Sequence, residues 1–116
     1  MEEIVYGGHV VARVTADQGY LDGRIGALER GHPIRRFVAG MCVWALEIER
    51  GVVPGPYSDE RAARYTRWLF MPTEDFERVD HLADHELAEH FNVPLEQVEI
   101  HRQELLRQNP QTADRR

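Results

Sequence analysis

The stretch "PIRRFVAGMCVWALEIERG", residues 33–51, decides how the chain folds. Pro33 stands where a first helical residue belongs, since its fixed φ suits a helix start and its missing N–H has no helical partner to lose. Ile34, Phe37, Val38, Met41, Trp44, Ala45 and Ile48 then recur at the i, i+3, i+4, i+7 spacing of one helical face. Ala39, Cys42, Val43 and Leu46 make a second side apolar as well. A helix apolar on two sides is expected at the centre of a fold, packed against other elements on both. Gly51 ends it, and "GVVPGPYS" over residues 51–58 reads as a loop.

The flanking segments fit around that helix. Ile4 to Val14, "IVYGGHVVARV", is rich in β-branched residues, and Gly7-Gly8 marks a turn or bulge inside it. In "GYLDGRIGALERG", Asp22-Gly23 is a two-residue hairpin signal between short apolar segments. A small antiparallel sheet is therefore predicted near the N-terminus. Ser58 suits an N-cap, and Asp59 and Glu60 favour the positive helix end that follows it. That helix is predicted to run to about Phe70, burying Ala62, Tyr65, Thr66 and Leu69, with Met71-Pro72 stopping it. Two more helices are predicted, roughly Asp80 to Phe91 and Leu95 to Arg107, with "NVP" turning between them. The expected fold is α+β: one domain over residues 1–108, a small N-terminal antiparallel sheet on a mostly helical body, and a polar, disordered tail over 109–116.

Composition narrows the function classes. At 116 residues there is room for one core, and 42% hydrophobic with 29% charged residues is the balance of a soluble globular chain. No apolar run approaches the roughly 20 residues that span a bilayer, and the acidic start "MEEIVYGG" lacks a secretory pattern, so a cytoplasmic location is expected and no membrane. The single cysteine, Cys42, excludes an intrachain disulfide and a cysteine-rich zinc site. All 14 basic residues are arginine; the bland cause is a GC-rich genome, and an actinobacterial source fits. The net charge of −6 argues against nucleic-acid binding through a generally basic surface. Residues 1–73 hold nine acids and nine arginines, whereas residues 74–104 hold ten acids and two arginines. That acidic third is a solvated face or a docking surface for a basic partner.

"HELAEH", residues 85–90, lies one residue from the H-E-x-x-H zinc signature. Each residue turns a helix by about 100°, so histidines four apart sit about 40° apart and can share an ion. His85 and His90 are five apart, about 140° around the axis, on different faces. His81, His85 and Glu89 form a better set, at i, i+4 and i+8, provided that the helix starts by His81. Two imidazoles and a carboxylate suit zinc, although Leu82, Leu87, Ala88 and Phe91 claim the buried side and leave these three exposed. No cofactor is expected.

Other groups read more plainly as structure. Cys42 lies on an apolar side with no activating cation near it in sequence, which is the setting of a buried structural thiol. Trp44 and Trp68 read as core anchors. Arg61, Arg64 and Arg67, three apart on one helix, form a basic stripe that pairs with nearby acids or meets an acidic partner. "LAEHFNVPLEQVEIHRQEL" has the spacing of a helix-turn-helix. Its second helix would present Glu96, Gln97, Glu99 and Glu104 to a duplex, with His101, Arg102 and Arg107 to help, and acids beside phosphates cost affinity.

Over residues 19–107 the chain resembles the ImmA/IrrE family of zinc metallopeptidases. "GYLDGRIGAL" is similar to the family's sheet segment, and "RRFVAGMCVWAL" stands where it carries R-F-x-x-A-H-E-x-x-H on a central helix. "DERAARYTRWLFMP" resembles the next helix with its terminal L-L-M-P, and "ELAEHFNVPLEQVEIHRQEL" resembles the closing helical pair. The resemblance implies a zincin-like body closed by a helix-turn-helix-like pair. Its departures fall on the chemistry. Aligned on Arg36-Phe37, Met41 stands at the first histidine, Cys42 at the catalytic glutamate, Ala45 at the second histidine and Asp59 at the third ligand. No shift restores a histidine, since none lies between His32 and His81. The resemblance therefore implies a degenerate, non-catalytic member, a pseudo-peptidase.

Such proteins act beside helix-turn-helix repressors of prophages and mobile elements, and one without its zinc ligands would work by binding. The expected function is protein–protein interaction in transcriptional regulation, through Glu96 and Glu99 of the acidic third and Arg61, Arg64 and Arg67 of the helix at 58–70. The alternatives are a small DNA-associated regulator using residues 84–107 and a residual zinc metallopeptidase using His81, His85 and Glu89.

Overall fold

The computed structural model describes residues 2–15 and 17–108. The expected disordered tail, 109–116, lies outside the described residues. Strands β1 (Glu2–Tyr6), β2 (His9–Val14) and β3 (Gly19–Leu21) form an antiparallel sheet in the order β1-β2-β3. Gly7 and Gly8 make the β1–β2 turn with φ of 62° and 81°. A two-residue hairpin needs positive φ at both central positions, which glycine adopts without a Cβ penalty. The register slips between Ile4 and Val5, where Ile4 faces Ala12 and Val5 faces Val10, so that Val11 is the extra residue of a bulge.

Asp22-Gly23 is not a hairpin turn. Asp22 has φ −52° and caps a one-turn helix, α1 (Gly23–Gly26), its carboxylate accepting from the Arg24 N–H at 2.7 Å. A short Asx cap competes with the hairpin wherever the residue stays at negative φ.

The central helix α2 spans Pro33–Glu49, and α3 (Asp59–Phe70) packs along it. Ser58 caps α3 as expected, its Oγ accepting from the Arg61 N–H at 3.1 Å. The approach of the two helices depends on Gly40, where a Cβ would lie 2.6 Å from Thr66 Cγ2. Ala62 and Thr66 of α3 are buried as expected, but Tyr65 is half-buried and Leu69 is exposed. The expected double-sided packing of α2 holds in part: the helix packs against the sheet and against α3, but its second apolar side is incompletely covered. Phe37, Val38, Met41, Ala45 and Ile48 are buried, whereas Ala39 and Val43 face outward and Cys42 and Leu46 are half-covered.

The chain from 72 to 91 holds two helices in place of the predicted one. These are α4 (Thr73–Val79) and α5 (Asp84–Phe91), followed by α6 (Leu95–Gln108). At the start of α5 the Ala83 N–H donates to the Glu86 carboxylate at 3.1 Å, satisfying one exposed end group. Asn92 ends α5 in the left-handed region at φ 55°.

The apolar side chains form two clusters. The first joins the sheet to α2 and α3 through Ile4, Val11, Ala12, Phe37, Met41 and Ala62. The second joins α4, α5 and α6 through Met71, Phe76, Leu87, Val93 and Val98. Phe70 packs against both. Among the described residues no helix is long and apolar enough to cross a membrane.

Candidate functional site

The positions at which the resemblance would set zinc ligands, Met41, Ala45 and Asp59, lie on the inner side of α2 and at the start of α3. Met41 and Ala45 are fully buried in the first cluster. Cys42 is half-buried beside them, and burial pushes its thiol up to about 11, so it stays protonated at neutral pH. Asp59 is already committed: one carboxylate oxygen accepts from the Val5 N–H at 3.1 Å, the other from the Tyr57 hydroxyl at 2.5 Å. The Tyr57 hydroxyl is held above its usual range, first by burial and then by that carboxylate. A catalytic zinc needs three protein ligands and one open position. A buried thioether, a methyl group, a protonated thiol and an engaged carboxylate do not suit it.

Met41 and Asp59 border an open cleft of about 420 Å³ together with Tyr6, Glu60, Arg67 and Glu96. Arg67 Nε is buried there without a hydrogen-bond partner among the described residues, and the Tyr6 hydroxyl is buried beside Glu96 and Gln97. Burial, and next the Glu96 carboxylate, keep the Tyr6 hydroxyl protonated well above its usual range. Among the described residues, the cleft offers proton-holding groups and carboxylates but no imidazole.

The histidines of the "HELAEH" segment are not brought together. His81 precedes α5, which begins at Asp84, so the i, i+4, i+8 face is broken at its first member. His81, His85, Glu89 and His90 are all exposed, and among the described residues no three His, Cys, Asp or Glu side chains group to hold a metal ion. The ring of His90 instead meets Phe91 edge-on at 4.8 Å.

The arginine stripe of α3 divides by function. Arg61 donates to the carbonyls of Pro56 (2.6 Å) and Pro54 (2.9 Å) and to the Tyr65 hydroxyl (3.0 Å), which clamps the loop before α3. Arg67, expected on the surface, is buried: it donates to Gln97 Oε1 at 3.1 Å and pairs with Glu104 at 3.0 Å. Arg64 stays half-exposed and pairs with the other Glu104 oxygen at 2.5 Å. Glu104 thus joins α3 to α6, a role that its solitary place in the sequence did not signal. Arg64 does remain beside Glu99, Glu60, Arg107 and the exposed Ile100 along a groove of about 550 Å³ between the two helices. Glu96 borders the neighbouring cleft and is exposed, as is Glu99.

Arg102 and His101, which were to help a DNA reader, are internal. Arg102 Nε donates to Asp84 at 2.8 Å, and its two terminal nitrogens donate to the carbonyls of Asp80 and Leu82 at 3.0 Å each. His101 is fully buried, with Nε2–H donating to the Met71 carbonyl at 3.0 Å. Arg102 therefore has its donors turned inward, and the outward face of α6 keeps its glutamates. Val98, His101 and Leu105 share helical spacing, a signal that could have placed His101 inside. Compared with protein-family models, with curated proteins and with solved structures, the chain matches none.

Proposed function

We propose that the chain is a non-catalytic, metallopeptidase-like protein that acts by binding another protein, in the regulation of transcription in a prophage or mobile element. The partner that the resemblance implies is a helix-turn-helix regulator. One observation carries the reading: Met41 and Ala45, at the aligned positions of two zinc ligands, are core residues. The order of sheet, α2, α3 and the closing α5–α6 pair agrees with a zincin-like body closed by a helix-turn-helix-like pair. The binding face is the α3–α6 groove, where Glu99 and Arg64 flank the exposed Ile100, extended by Glu96 of the neighbouring cleft that Ile100 also borders. An apolar side chain ringed by charges of both signs suits a partner of mixed charge.

Elemental analysis of untagged protein, beside His85→Ala, tests the first half of this reading. Near-zero zinc is expected; stoichiometric zinc that vanishes in His85→Ala overturns it. Titration calorimetry with the regulator tests the second half. The double change Glu96→Arg, Glu99→Arg is expected to weaken binding at least about tenfold while circular dichroism stays unchanged. Unaltered affinity would remove this face from the proposal.

A further inference from the structure

The side of α6 turned away from the body has no cover among the described residues. Gln97, Val98 and His101 face inward and are buried, and α3 and α5 both contact the helix. Glu99, Ile100, Gln103, Leu106 and Arg107 share the opposite side. At about 100° per residue they all fall within about 60° of Gln103 around the axis. Ile100 is 45% and Leu106 36% exposed, and the other three are exposed as well. Among the described residues, the side chains of Glu99, Gln103 and Arg107 make no hydrogen bond or ion pair.

The order of these residues says which occupant fits. Three positions from Gln103 an apolar residue stands on both sides, Ile100 before it and Leu106 after it. Four positions from Gln103 stand opposite charges, Glu99 before it and Arg107 after it. The stripe is therefore symmetric in apolar character and antisymmetric in charge. A parallel copy of α6 would set Glu99 level with Glu99 and Arg107 level with Arg107. An antiparallel copy, related by a two-fold axis at Gln103, sets Glu99 level with Arg107 of the second copy, and Ile100 level with Leu106. Each of these matches then occurs twice. Gln103 meets itself on the axis, where a carboxamide is suited because it carries both donors and an acceptor. A partner of a single charge sign would instead face a like charge at one end of the stripe.

We propose that this side of α6 is a homodimer contact, in which α6 packs antiparallel on α6 of a second copy about a two-fold axis through Gln103. Such an isologous contact is self-complementary and closes on itself. One helix face is smaller than the about 800 Å² that each partner gives to a standard interface, so the dimer is weak and forms as concentration rises. It needs no regulator and stands apart from that reading, although Glu99, Ile100, Gln103 and Arg107 also border the α3–α6 groove.

Sedimentation of the full chain, without a partner and up to millimolar concentration, is the test. The mass should rise from the 13.5 kDa of one chain toward twice that value. Glu99→Arg and Arg107→Glu, each alone, should weaken the dimer at least about tenfold, because symmetry sets the like charges together twice. Combined in one chain they should restore it, since the pairs are exchanged and not lost. Leu106→Asp should return the monomer with circular dichroism unchanged. Leu106 borders neither the groove nor the neighbouring cleft, so this variant keeps its affinity for a regulator and separates the two readings. Ile100→Asp takes its place if Leu106→Asp does not fold. A monomer at every concentration overturns the proposal, as does a dimer that persists in the folded aspartate variant. A double charge variant that stays monomeric overturns the antiparallel arrangement.

Discussion

His101 sits between two aromatic rings, each meeting it edge-on with centroids 5.2 Å away: Trp68 from α3 and Phe76 from α4. Its Nε2–H holds the Met71 carbonyl, while its Nδ1 is buried without a partner among the described residues. A charged imidazolium would need to be solvated where no water reaches it, so burial lowers the pKa from 6.5. The unfolded chain takes up a proton near 6.5 and the folded chain does so only at lower pH. Stability from this group is therefore complete above 6.5 and declines as pH falls from there through the folded pKa, by at most about 1.4 kcal/mol per pH unit. Urea titrations between pH 7.5 and 5 should show the decline, and His101→Gln, which keeps a donor for Met71, should remove it. Side chains such as this one were legible only by spacing. The sequence placed it on a helix, but its partners come from elements 25 to 33 residues away.

Among elements, α2 was the most legible and the most misleading. Its limits follow from Pro33 and Gly51, and its inner face from the 3.6-residue period. Its outer face was read as buried because periodicity reports apolar residues and not what covers them. The contact with α3 rests on a residue that periodicity passes over. Gly40→Ala would place a methyl group against Thr66, whose hydroxyl is fixed by donation to the Ala62 carbonyl at 2.7 Å. A loss of about 1–3 kcal/mol is expected in denaturant unfolding, with an unchanged slope. The smaller Thr66→Ala, added to it, should return part of the loss. Helix α4 escaped prediction for a different reason: at seven residues, with Phe76 its sole buried side chain, it shows no period to read. The hairpin signal at Asp22-Gly23 failed because dipeptide chemistry permits a turn without requiring it.

At the scale of the molecule, the two clusters are joined by few groups. Phe70 touches both, and Arg36 lies over its ring at 4.7 Å while donating to the carbonyls of Phe91 and Asn92. Asn92 answers with a bond from its side-chain amide to the Gly31 carbonyl at 2.7 Å. Arg36→Ala should cost about 1.5–3 kcal/mol, since charged hydrogen bonds to two carbonyls are lost. Hydrogen exchange should locate the effect: amides of α5 and α6 exchange faster, and those of α2 less so. The sheet-plus-helices layout was legible because each element declares itself locally. This join was not, because a side chain reaching a carbonyl 55 residues away leaves no pattern in the sequence. The clusters also follow one another along the chain, the first drawing its buried residues from Ile4 to Ala62 and the second from Met71 to Val98. During synthesis, then, every buried residue of the first core has been made before any of the second. The nascent chain can settle its N-terminal half without waiting, and the C-terminal helices arrive as a late addition to a surface already in place.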